Sequence, residues 1–185
     1  MIYDFTLRSV GLAVGLGLVL SHAAALVAPA RMMEWLRTLP RSRPAGIFLC
    51  TLAAVWAFWL AATMDLGEFS PNRTLICGVV IAGAVMVPLF ADEFLPVRAL
   101  GILALLAAEP LLGAAFLRPE QTRLLLVVLA YVWATAGLFM VGAPYLLRDL
   151  IDWVTGKSWR YHAVAWSGIA YGALLIAVSL LFFKS

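Results

Sequence analysis

The stretch LLAAEPLLGAAF, residues 105–116, sets a carboxylate directly before a proline inside an apolar run. Glu109 stands 11 residues after Arg98 and nine before Arg118, so neither cation shares its helical turn. Pro110 has no backbone N–H, which leaves the Leu106 carbonyl without its usual helical partner. A carboxyl beside an opened carbonyl has the chemistry of a proton or cation site in a broken membrane helix. The plainer roles are a protonated carboxyl hydrogen-bonded to a neighbouring helix, which leads, and a contact with a partner subunit. An acid at that depth costs about 2.5 kcal/mol or more, so the side chain is expected to meet protein or water rather than lipid.

His22 and His162 are the two histidines. A haem held by both would need the rings to face each other at one level. Their expected positions differ by about 9 Å at about 1.5 Å per residue, so no haem is expected. His22 reads instead as a ring bonded to its own helix or an aid to a proton path. In MDLGEFSPNRT, residues 64–74, Asp65 and Glu68 accompany Arg73. Divalent cations want more oxygen ligands than that loop supplies, and its Gly and Pro mark a turn. Asp92 and Glu93 are expected simply to face water. Cys50 and Cys77 fall near opposite ends of successive apolar runs, about 13 Å apart in depth at about 1.5 Å per residue, beyond the reach of a disulfide. No CxxC, HExxH, GxSxG, P-loop or GxGxxG occurs. The expectation is therefore a non-enzyme with no metal and no cofactor.

The elements that hold these groups follow from composition. Of 185 residues, 64% are hydrophobic and 12% charged, against about 45–50% and about 25% in soluble domains. Six stretches are long enough to cross a bilayer: 9–28, 45–64, 74–91, 99–117, 124–143 and 163–183. They fill most of residues 1–185 and predict an all-α polytopic transmembrane helix bundle forming a single integral-membrane domain. GLAVGLGLVLSHAAA has the apolar core of a signal peptide, but Asp4 offsets Arg8 in its n-region, so a first span is expected.

The 13 basic and 10 acidic residues are dispersed, leaving no stripe for nucleic acid. Arg31, Arg37, Arg41, Arg43, Arg98, Arg148, Lys157 and Arg160 fall on one side of the predicted spans. Arg8, Arg73, Arg118, Arg123 and Lys184 fall on the other. That bias favours both termini on the non-cytoplasmic side, read as a bacterial inner membrane.

Two loops share a design. APARMMEWLRTLPRSRP and APYLLRDLIDWVTGKSWR each begin Ala-Pro, where a preceding helix must stop. Met32, Trp35, Leu36 and Leu39 make one apolar stripe, and Leu147, Leu150, Ile151 and Val154 the other. Both predict short amphipathic helices lying in the interface. Trp35, Trp153, Trp159 and Trp166 gather at that level, as amphipathic indoles do. Arg148 and Asp152 are expected to pair at i,i+4, and Gly156 to end its helix in the left-handed conformation. The likeness of the loops reads as shared solvent rather than duplication.

Gly11 and Gly15 form one GxxxG and Gly168 and Gly172 another, spacings that let helices approach closely. The two pairs are expected in opposite halves of the membrane, so that each meets a different helix or a partner. The bilayer and other membrane-protein subunits, or further copies of the chain, are the expected partners. The leading expectation is a small accessory or structural subunit of a membrane complex. A proton- or cation-coupled transporter or channel using Glu109 is its rival, and a redox or lipid-modifying protein using His22 is the third.

Overall fold

Inside hydrocarbon a chain can satisfy its backbone only by coiling into helices or closing a barrel. The computed structural model describes residues 3, 5–90 and 94–183; Asp4, Asp92, Glu93 and Lys184 lie outside them. Among the described residues every regular element is helical: α1 Leu7–Val27, α2 Pro29–Thr38, α3 Arg43–Thr63, α4 Arg73–Phe90, α5 Leu95–Ala115, α6 Arg123–Gly142, α7 Tyr145–Thr155 and α8 Ser158–Leu181. Six of them (α1, α3, α4, α5, α6 and α8) are long and apolar enough to cross a membrane, α4 together with the 3-10 turns that precede it. The fold is an all-α bundle, and the chain is a multi-pass membrane protein.

The Ala-Pro steps act alike. Ala28 (φ −133°, ψ 65°) and Ala143 (φ −135°, ψ 65°) leave the helix with nearly the same backbone. A residue before proline is pushed out of the α region. Pro29 then opens α2, while Pro144 caps α7. Gly156 ends α7 with φ −70°, right-handed rather than left-handed as expected, because the chain turns straight into α8 two residues later.

Two helix boundaries differ from the sequence pattern in ways that matter. Helix α5 starts at Leu95, four residues before the expected start, with Pro96 in its first turn. Helix α8 starts at Ser158, five residues early. The hydrophobic pattern misses both because those first turns are polar or contain proline, which a helix N-terminus tolerates. Phe94 (φ 58°) and Leu117 (φ 54°) flank α5 in the left-handed region, which non-glycine residues enter only under constraint.

Helices α1 and α8 pack as one antiparallel pair and α5 and α6 as another, with α3 against α5 and α4 against α3. Leu7, Val10, Leu111, Ala114, Leu126 and Leu175 join the two pairs in a shared core. No residue of α4 is buried.

Candidate functional site

The glycines set the helix spacing. A Cβ on Gly15 would stand 2.9 Å from the Gly172 carbonyl oxygen, and one on Gly172 would stand 2.8 Å from that of Gly15. The two GxxxG pairs therefore do meet each other, contrary to the sequence expectation. Gly15 lies eight residues after Leu7 and Gly172 nine before Leu181, so in the antiparallel pair they share one level. Gly11 lies beneath the Ser179 hydroxyl, and Gly168 beneath the imidazole of His22. The α5/α6 pair uses the same device, unforeseen: Cβ atoms on Gly101 and Gly137 would lie 2.8 and 2.7 Å from each other's carbonyl oxygens. Neither belongs to a GxxxG, so the motif alone gave no signal. Small residues at such crossings take the place of the hydrophobic drive that lipid removes.

His22 is seated rather than loose. Its Nδ1 lies 2.8 Å from the Leu18 carbonyl oxygen, with the Ser21 hydroxyl 3.2 Å away. A carbonyl only accepts, so Nδ1 carries the proton in that bond. Nε2 has no partner among the described residues. The ring edges a groove of about 350 Å³ between α1, α6 and α8, lined by Leu18, Val128, Val132, Val164, Ser167 and Tyr171 among others. His162 does not share this site. Its Nδ1 bonds the Ser158 carbonyl at 2.8 Å. It is also six residues along α8 from Gly168, about 9 Å at about 1.5 Å per residue.

Glu109 and Pro110 part company. Pro110 is buried in the core, whereas Glu109 is exposed on the outside of the bundle. Among the described residues no donor lies within hydrogen-bond distance of Glu109. The leading expectation, a carboxyl hydrogen-bonded to a neighbouring helix, finds no such partner among the described residues. It sits 14 residues into α5 and six before Ala115, about 9 Å from the nearer end at about 1.5 Å per residue. The early start of α5 therefore moves it off the expected mid-depth position. Every arginine of a long helix (Arg8, Arg43, Arg73, Arg98, Arg123 and Arg160) stands within that helix's first four residues.

Two of those arginines, and Arg37 of α2, have a local task. Arg73 donates to the Ala62 and Met64 carbonyls at the end of α3, the latter at 2.8 Å. Arg123 reaches the Ala115 carbonyl at the end of α5, 2.9 Å. Arg37 bonds the Thr155 hydroxyl at 2.9 Å and its carbonyl at 3.0 Å, tying α2 to the end of α7. Tyr161 donates to the Ala25 carbonyl near the end of α1 at 2.8 Å. These donors meet carbonyls that a helix end leaves open, and the cations suit the negative end of the helix dipole.

The remaining sequence candidates fall at the α2/α7 end. Arg148 pairs with Asp149 at 2.7 Å rather than with Asp152, and its guanidinium lies over the Phe94 ring at 5.8 Å. The turn before α5 draws it away from the i,i+4 partner. Arg160 lies over Trp153 at 4.3 Å and also faces Trp159. Trp35, Trp153, Trp159 and Trp166 are all exposed. In the 64–74 loop Asp65 accepts from the Gly67 amide at 2.9 Å, a local turn. Cys50 and Cys77 are both free thiols.

Compared with known proteins, the chain matches no family model, no curated protein and no solved structure.

Proposed function

We propose that this protein is an accessory subunit of a membrane complex, docked on another membrane protein through the α5 face that carries Glu109. The supporting observation is the outward Glu109, exposed on the outside of the bundle with no donor from the described residues. A carboxyl left there against lipid would carry the cost of about 2.5 kcal/mol or more noted for acids at a span centre, reduced toward the interface. A helix of another protein that brings a cation or a hydroxyl to that level removes the cost. The open flank adds to the reading, since no residue of α4 is fully buried within the chain. Transport through Glu109 lacks comparable support: Glu109 lines none of the grooves described between the helices.

The test is gentle extraction at native abundance followed by native mass spectrometry of the wild type and Glu109→Leu. The wild type is expected in a particle with a second membrane protein. The variant is expected to leave that particle while keeping its own unfolding temperature, because surface changes usually stay within about 0.5 kcal/mol. A wild type that runs alone or only with copies of itself would overturn the proposal. So would a variant that keeps its partner.

A further inference from the structure

The groove beside His22 has an unusual electronic character. Three polar side chains line it, His22, Ser167 and Tyr171. Each has already committed its proton to a backbone carbonyl. His22 Nδ1 serves Leu18 at 2.8 Å, the Ser167 hydroxyl serves Val164 at 2.8 Å, and the Tyr171 hydroxyl serves Leu125 at 2.7 Å. What these side chains keep for an occupant is lone pairs: Nε2 of the neutral imidazole and the two hydroxyl oxygens. The rest of the lining is aliphatic, and the volume of about 350 Å³ falls within the range of small-ligand sites.

The seat is also built. Gly168 lies so close beneath the imidazole that any Cβ there would collide with Cγ, Cδ2 and Nε2. The ring is thus held between α1 and α8 by the absence of a side chain. His22 lies five residues before the end of α1, about 7.5 Å inside it at about 1.5 Å per residue. An acceptor left unmet there carries a desolvation penalty that a ligand donor would remove.

We propose that this groove binds an apolar, bilayer-soluble molecule bearing a neutral hydroxyl, which donates its hydrogen bond to His22 Nε2. Two sources share that chemistry, a lipid-soluble quinol and a glycerolipid with a free hydroxyl. The site discriminates by donor. A quinone or an acetylated glyceride offers acceptors against acceptors and is disfavoured. The inference does not depend on how Glu109 is met, because Glu109 lines no part of this groove.

The experiment uses the full chain in phosphatidylcholine nanodiscs. It is titrated with an alkyl benzoquinol and its quinone, and with a diacylglycerol and its acetylated form. Saturable binding of the quinol, with the quinone weaker by about tenfold, the factor that one hydrogen bond of about 1.4 kcal/mol supplies, supports the proposal and names the quinol as source. The same preference within the glyceride pair supports it and names the lipid. Equal binding of donor and non-donor forms, or no saturable binding of either pair, overturns it. His22→Leu is expected to lose the preference, and a folded variant that keeps it would also overturn the proposal. Nitrogen NMR of the wild-type imidazole covers the case in which the variant does not fold. A proton on Nδ1 and a bare Nε2 that shifts with ligand are expected, whereas a proton on Nε2 would end the idea.

Discussion

Gly101→Ala puts the α5/α6 crossing to a quantitative test. The new Cβ would stand 2.8 Å from the Gly137 carbonyl oxygen, 2.8 Å from Met140 Cβ and 3.0 Å from Val141 Cγ2. Ordinary contacts lie at 3.4–4 Å. Two of the three obstructing atoms are backbone or Cβ and cannot swing aside, so the helices must separate. Overpacking of this kind costs about 1–3 kcal/mol. Alanine returns about 0.5–1 kcal/mol as a better helix former than glycine, leaving a net loss of about 0–2.5 kcal/mol by these two figures. Gly78→Ala supplies the control, because a Cβ there meets nothing within 4 Å. It gains the helix term without the clash. The two variants should therefore differ by the overpacking term alone, about 1–3 kcal/mol, or about 5- to 150-fold in the unfolding equilibrium. Reversible unfolding in mixed micelles, followed by circular dichroism, measures the difference. If Gly101→Ala proves as stable as Gly78→Ala, the close crossing of α5 and α6 is wrong.

Other outcomes follow from single contacts. Arg37→Met removes both bonds to Thr155 and should loosen the last turn of α7 by about 1 kcal/mol, a figure reduced for solvent exposure. Hydrogen exchange should then quicken in residues 152–155, with α4 unchanged. Trp56→Phe deletes the indole donor to the Tyr3 hydroxyl, 2.6 Å away, and should cost about 1 kcal/mol. Limited proteolysis should then cut the first residues sooner; unaltered cleavage would mean that the bond does not hold Tyr3 against α3. Gly168→Ala should expel the His22 ring from its seat, read as loss of the Nδ1–Leu18 bond in the imidazole spectrum.

How much of this was legible beforehand varies by residue. The helices and their breaks were, because Ala-Pro at 28–29 and 143–144 acts on the local backbone whatever surrounds it. The amphipathic stripes of α2 and α7 were readable for the same reason. Gly101 and Gly137 were not, since an isolated glycine in an apolar run says nothing of which helix crosses it. Arg37, Arg73 and Arg123 were counted only as charges flanking spans. Each turns out to satisfy carbonyls at the end of another helix, so the orientation bias mixes topology with capping.

By itself the sequence determined the class, six apolar helices joined by short segments, because a bilayer leaves the backbone no other way to pair its polar groups. Only the tertiary structure decided which faces meet. Spans that are apolar all round carry no alternation to separate interior from lipid, so burial is set by the fit of small residues between particular helices. That fit turned Pro110 inward and Glu109 outward. It set Gly15 against Gly172 and seated the His22 ring over Gly168 at the edge of a groove.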